Sequence, residues 1–225
     1  MRAMAAVLLK DVVVELRGPM TTTALATVSL LVLVVLVFAF GPVWGQSEPT
    51  AAAGALWVAL VVSGTLGGGR VVAVERERRC IDALVLSPLD RGGLFVAKSA
   101  AAFVFILVAE GFSLIVALLF FNLAADAALA RTAAVLALGA VGFAGLVTLV
   151  GAVGGRAKGR DFLVPLLAVP LYVPALIAGV KASADALGGA RLGEIALWLK
   201  VLLSCDAIFV AAGLLLFEQV VAGSE

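Results

Sequence analysis

Long apolar runs recur along this chain, and they constrain its fold more than any other feature. Several windows exceed the roughly 18 apolar residues that mark a membrane-spanning helix, and the run over residues 20–40 carries no charge. Hydrophobic residues make up 64% of the sequence and charged residues 14%, whereas a soluble domain is nearer half apolar and a quarter charged. The sequence therefore predicts an all-α integral membrane protein with a single transmembrane domain over residues 1–225.

Hydropathy predicts six transmembrane helices. A segment at residues 3–17 precedes them, in which apolar side chains share one face at helical spacing and charged side chains lie opposite. This pattern predicts an amphipathic helix that lies along the membrane surface. The six spans are placed at about residues 20–40, 51–69, 94–121, 132–153, 162–180 and 195–221.

Glycine and proline mark two of these spans. Gly64 and Gly68 are four residues apart in the second span, which either lets another helix approach closely or only loosens a helix end. The fifth span contains Pro165, Pro170 and Pro174. Proline kinks a helix and frees backbone carbonyls, which is tolerated in a membrane when neighbouring helices cover the kink.

The densest run of charge lies between the second and third spans, at residues 70–92. Residues 70–91 contain five Arg, two Glu and two Asp. Charged side chains are costly in hydrocarbon, so this segment must lie in water at one face of the membrane. Two interpretations stay open at this point: a solvated loop that only fixes topology, or a docking surface for a cytoplasmic partner.

The distribution of Lys and Arg predicts the orientation. Six spans place both termini on one side, and 12 of the 16 Lys and Arg residues belong to that side. Cytoplasmic loops carry an excess of Lys and Arg. We therefore predict that both termini and the loop at residues 70–92 face the cytoplasm.

Three ionisable residues fall inside the predicted spans: Glu110, Lys200 and Asp206. Such residues usually face the interior of a helix bundle or a wet cavity. Glu110 lies about 24 Å along its helix from Leu94, and Lys200 also lies near the outer end of its span. A Glu110–Lys200 pair would therefore either take part in transport or only lower the cost of burying its own two charges. Asp206 is deeper and has no evident partner in the sequence.

Motifs for catalysis are missing from the sequence. There is no G-x-x-x-x-G-K-[ST] phosphate loop and no histidine, which removes Ser/His/Asp sets, many metal sites and His-ligated haem. The two cysteines, Cys80 and Cys205, fall in different segments and form no disulfide framework. We predict a protein that is not an enzyme, binds no cofactor or metal directly and has no nucleic-acid partner.

Short motifs along the chain occur in an order that resembles one known family. They are Lys10-Asp11 with Glu15 and Arg17, Gly41-Pro42, Ala53-Gly54-Ala55-Leu56-Trp57-Val58-Ala59, Arg70 with Glu75-Arg76, Asp82-Ala83-Leu84-Val85-Leu86-Ser87-Pro88 with Arg91, Ala97-Lys98, and Arg160 with Leu163-Val164-Pro165-Leu166-Leu167 and Pro170-Leu171-Tyr172-Val173-Pro174-Ala175-Leu176-Ile177. Together they resemble CcmB, the membrane B subunit of the ABC-type haem exporter of the cytochrome c maturation system. Arg79 departs from the family pattern, where Gly is expected.

This resemblance implies a type-II ABC exporter-like permease in the bacterial cytoplasmic (inner) membrane. It implies that the loop at residues 70–92 forms a short coupling helix in a cleft of a cytoplasmic ATPase subunit, which binds the ATP. The other partners it implies are a Trp-rich haem-handling membrane subunit, a small single-span subunit and a periplasmic haem chaperone, with membrane lipid around them. The coupling residues are Arg70, Glu75, Arg76, Arg79, Asp82, Leu84, Pro88 and Arg91.

The function expected from the resemblance is haem delivery, or release of the haem-loaded chaperone, driven by the partner ATPase. One alternative is a type-II ABC permease for another substrate, such as a lipid, a drug or a polysaccharide. Another is a scaffold with no transport path. A continuous polar cavity between the helices would argue against a scaffold, and a dry, packed bundle would argue for it.

Overall fold

The computed structural model describes residues 20–40, 49–77, 91–154 and 160–222, and all regular structure in these ranges is helical. This confirms the prediction of an all-α membrane fold. The predicted surface helix at residues 3–17 and residues 78–90 of the charged loop lie outside the described residues. The helices are α1 (Met20–Phe40), α2 (Pro49–Glu77), α3 (Arg91–Phe120), α4 (Ala127–Gly154), α5 (Arg160–Leu187) and α6 (Ala196–Ala222).

Five of these helices, α2 to α6, are long and apolar enough to cross a membrane. Their apolar stretches run from 18 residues in α2 to 29 in α3, and about 20 residues span a hydrocarbon core of about 30 Å. Helix α1 has a shorter apolar stretch, Thr23–Ala39, which is at the lower end of the spanning range. The described helices are those of a multi-pass membrane protein.

Three helices extend at least five residues beyond an end that hydropathy predicted, among them α4, which begins at Ala127 instead of residue 132. Helix α2 continues to Glu77 and α5 to Leu187, so residues 70–77 of the predicted loop are helical. At about 1.5 Å per residue, the 29 residues of α2 extend over about 43 Å, well beyond the hydrocarbon core. Hydropathy locates the edge of the hydrocarbon, whereas the backbone hydrogen bonds of a helix continue into water.

Helix α4 lies at the centre of the bundle. It packs against α2, α3, α5 and α6, and 72% of its apolar stretch is buried. The helix is rich in Gly and Ala, and small residues let neighbouring helices approach closely. Helix α6 is peripheral, with 17% of its stretch buried, and its exposed Leu and Ile side chains form a surface suited to lipid.

Two short connections close the bundle at the end opposite the last residues of α2 and the first residues of α3. After α3, Asn122 takes the left-handed conformation (φ 49°), and the Asp126 carboxylate accepts a 2.9 Å hydrogen bond from the backbone at the start of α4. After α5, Gly189 takes a φ of 89°, and Glu194 accepts a 2.7 Å backbone hydrogen bond just before α6. These residues end and cap helices in the usual way, and short connections make the joined helices antiparallel.

Candidate functional site

Four of the eight predicted coupling residues belong to the end of the bundle where α2 ends and α3 begins, which we call the charged end. Arg70, Glu75 and Arg76 fall on the last eight residues of α2, and Arg91 is the first residue of α3. The other predicted coupling residues lie outside the described residues: Arg79, Asp82, Leu84 and Pro88. The contacts of the whole set therefore stay a prediction.

Four aromatic side chains from four helices fill the centre of the bundle, and we call them the aromatic core: Trp57, Phe143, Tyr172 and Phe209. The ring of Tyr172 lies at the middle, with centroid distances of 4.6 Å to Phe143, 5.9 Å to Phe209 and 6.4 Å to Trp57. The Tyr172 hydroxyl donates a 2.7 Å hydrogen bond to the backbone carbonyl of Gly139. The core therefore joins α2, α4, α5 and α6 by ring packing and one buried hydrogen bond.

The Trp57 indole lies in a slot between two glycines. A β-carbon at position 139 would lie 2.8 Å from its Cζ3 atom, and one at position 179 would lie 2.6 Å from its Cε2 atom. The indole Nε1–H donates a 2.9 Å hydrogen bond to the hydroxyl of Ser183. Because real β-carbon contacts are not that short, only glycine fits at these two positions while the indole stays in place.

Gly64 of α2 also accommodates an aromatic ring. A β-carbon at this position would lie 2.6 Å from the Cδ1 atom of Phe143 and 3.3 Å from Ile106. The neighbours at Gly64 are side chains of α3 and α4. This favours close packing over a loosened helix end at this position.

Replacing Tyr172 by Phe is expected to lower the free energy of unfolding by about 1 kcal/mol, because one buried hydrogen bond is lost while the ring stays. The measurement is the unfolding midpoint of the purified protein in detergent. Tyr172→Ala is the comparison variant and is expected to cost more, because it also removes the ring. Equal losses in the two variants would show that the hydroxyl does more than bond Gly139.

The described membrane segments contain two buried carboxyl groups, those of Glu110 on α3 and Asp206 on α6. Each residue is 4% exposed, and none of their carboxyl oxygens has a hydrogen-bond partner among the described residues. The carboxyl group of Asp206 lies beside Gly142 on α4, three residues along that helix from the Gly139 carbonyl that Tyr172 binds. One of the two acidic groups therefore lies close to the aromatic core.

Lys200 does not join these carboxyl groups. Its side chain is exposed, and Glu110 has no hydrogen-bond partner in the described part of the chain, so the Glu110–Lys200 pair considered from the sequence does not form. Position along a helix predicts the depth of a residue but not the direction in which its side chain points. Lys98 shows the same limit, because its place near the start of the third span does not reveal that its side chain is only 3% exposed.

The described residues bring no group of three or more His, Cys, Asp or Glu side chains together. A groove of about 360 Å³ lies between α4, α5 and α6, on the part of α4 that runs toward the charged end. Its lining is apolar apart from Gln219. The described part of the bundle therefore has a packed aromatic centre and an apolar outer groove.

Comparison with known proteins covers most of the chain. The family model described as CcmB protein matches residues 2–219. The chain is 30% identical over 156 residues to Heme exporter protein B of Rhodobacter capsulatus, and the match covers 68% of this chain and 69% of that protein.

Proposed function

The chain belongs to the CcmB family, and from this membership we propose that it is a membrane subunit of haem export for cytochrome c maturation. The observation that carries the proposal is the family match over residues 2–219. The name of the relative, Heme exporter protein B, supports haem over a lipid, drug or polysaccharide as the exported molecule. The multi-pass helical fold is the one that a membrane subunit requires.

We further propose that this subunit hydrolyses no ATP itself and transmits the work of a cytoplasmic ATPase. Helix α2 supports a lever of this kind, because one continuous helix carries both Glu75 and Trp57. At about 1.5 Å per residue along a helix, Glu75 and Trp57 are about 27 Å apart. A displacement at the charged end of α2 would therefore move the indole against the glycines of α4 and α5.

The packed centre favours force transmission over passage of haem through the middle of this bundle. Trp57 and Tyr172 are fully buried, as is Phe143, and a closely packed interior transmits strain. In this form of the proposal, movement of the bundle releases a haem-loaded periplasmic chaperone. The same packing supports the second candidate, a scaffold that holds a haem-handling subunit against the ATPase.

The proposed complex contains four partners: the ATPase, a Trp-rich haem-handling membrane subunit, a small single-span subunit and the periplasmic chaperone. We place it in the bacterial inner membrane with both termini of this chain in the cytoplasm. The excess of Lys and Arg on that side supports the orientation.

Purification of the intact complex through a tag on this chain tests the proposed function. We expect the ATPase and a haem-handling subunit to co-purify, a haem spectrum in the complex, and loss of c-type cytochromes when the chain is deleted. A complex that contains the ATPase but no haem, in cells whose c-type cytochromes survive deletion, would identify a permease for another substrate.

A further inference from the structure

The carboxyl group of Asp206 is enclosed where α6 packs against α4. A β-carbon at Gly142 would lie 2.6 Å from the carboxyl carbon of Asp206 and 2.8 Å from its Cα atom. The space that a side chain at position 142 would need is therefore occupied by the carboxyl group. This contact, which we call the Asp206 seam, brings an acidic side chain against the backbone of the most buried helix.

Among the described residues around it, Asp206 has neither a hydrogen-bond donor nor a partner cation. Its two carboxyl oxygens are buried and have no hydrogen-bond partner among the described residues. Tyr172 on α5, whose hydroxyl already donates to Gly139, and the adjacent Cys205 on α6 are titratable neighbours of Asp206. Helix α3, which also packs against α6, carries two buried charged residues, Glu110 and Lys98.

We propose that Asp206 is a proton-binding site and that the packing of α6 against α4 requires its carboxyl group to hold a proton. An ionised carboxylate without a hydrogen bond or a partner cation is costly inside a protein or a bilayer. The neutral acid leaves one polar group unpaired, which costs far less. When α6 separates from α4, water reaches the carboxyl group and the proton leaves as a hydrated proton. Proton release and opening of the Asp206 seam are therefore one linked equilibrium.

Infrared spectroscopy of the full chain, purified with its partner subunits in lipid, tests the site directly. A protonated carboxyl group has a C=O stretching band that shifts in heavy water and is separate from the carboxylate bands. We expect this band at neutral pH in the wild type and its partial loss in Asp206→Asn, which keeps the shape of the side chain. The matched control is Asp185→Asn. Asp185 is exposed on α5, so this substitution should leave the band of the protonated carboxyl group unchanged. A spectrum of Asp206→Asn identical to the wild type would overturn the proposal.

A disulfide across the same helix pair tests the linkage. A β-carbon at Gly145 on α4 would lie 3.5 Å from Val210 Cγ2 and 3.9 Å from Val210 Cα, which suits a disulfide. The variant is Gly145→Cys with Val210→Cys, in a chain whose Cys80 and Cys205 are replaced by Ser. We expect the oxidised form to keep the Asp206 band to a pH at least one unit higher than the reduced form of the same protein, a tenfold difference in proton affinity.

Two outcomes would overturn the linkage. Identical titration of the band in the oxidised and reduced forms would show that the proton does not depend on the seam. Failure of the two cysteines to cross-link would contradict the contact between α4 and α6 on which the seam rests. Neither measurement depends on haem or on transport, so the result stands apart from the proposed function.

Discussion

Reversal of three charges, Glu75→Lys, Arg76→Glu and Asp82→Lys, is expected to abolish co-purification of the ATPase with this chain. Under the proposed function, these residues belong to the segment that lies in a cleft of the ATPase. Removing one partner of a buried, hydrogen-bonded charge pair costs about 2–5 kcal/mol. Three reversals add repulsion to that loss, so the expected fall in affinity is at least 100-fold.

The bundle itself is expected to stay folded in this variant. Residues 75 and 76 lie on α2 beyond its apolar stretch, which ends at Leu66, so their charges are not part of the aromatic core. The measurements are the amount of ATPase that elutes with the tagged chain and the yield of c-type cytochromes. Both are expected to fall to background.

A matched control reverses two charges at the other end of the bundle. Lys181 and Asp185 are exposed on α5 near its end, and the double variant Lys181→Glu with Asp185→Lys should leave the ATPase bound. If the triple variant keeps both the ATPase and the cytochromes, the segment at residues 70–92 is a solvated loop that fixes topology. If the control loses the ATPase as well, the effect comes from general instability.

The positions of the helices could be predicted from the sequence because each membrane span needs a long apolar run of its own. The sequence was insufficient for the ends of the helices, as α2 shows, because residues 70–77, four of which are charged, continue the helix to Glu77. It placed Lys98 near the start of the third span but did not show that this side chain is buried. Hydropathy depends on residue type alone, whereas burial depends on which face of a helix meets its neighbours.

For the candidate site too, the sequence located single residues but did not predict their contacts. The sequence placed Trp57 in a motif of the second span and Asp206 in the sixth span as a charge without an evident partner. It did not predict that Trp57 packs against Gly139, or Gly142 against Asp206, because these partners are 82 and 64 positions apart in the chain. Such pairings are set by tertiary packing of helices, for which a single sequence carries no periodic signal.

Replacing Gly179 by Val is expected to remove Trp57 from its slot and to lower the free energy of unfolding by about 3 kcal/mol or more. A β-carbon at position 179 would already lie 2.6 Å from the indole Cε2 atom, and the ring has no room to retreat because Gly139 closes its other face. The indole would then lose its hydrogen bond to Ser183 and its packing with Tyr172. Loss of a large aromatic side chain from a core costs about 3–5 kcal/mol.

The matched control is Gly111→Ala, for which the expected sign is opposite. Nothing lies within 4 Å of a β-carbon at Gly111, and Ala is favoured over Gly inside a helix by about 0.5–1 kcal/mol. Unfolding midpoints in detergent measure both variants against the wild type. A Gly179→Val protein as stable as the Gly111→Ala protein would contradict the slot.

A compensating pair makes the test specific to the contact. The smaller change Gly179→Ala is expected to destabilise the protein on its own, and Trp57→Phe is expected to do so as well. In the double variant, the smaller ring leaves room for the new methyl group. The combined loss should therefore be less than the sum of the single losses, by about 1 kcal/mol or more for residues in direct contact. Additive losses would mean that the two positions do not touch, and the lever that joins the charged end of α2 to the centre of the bundle would lose its physical basis.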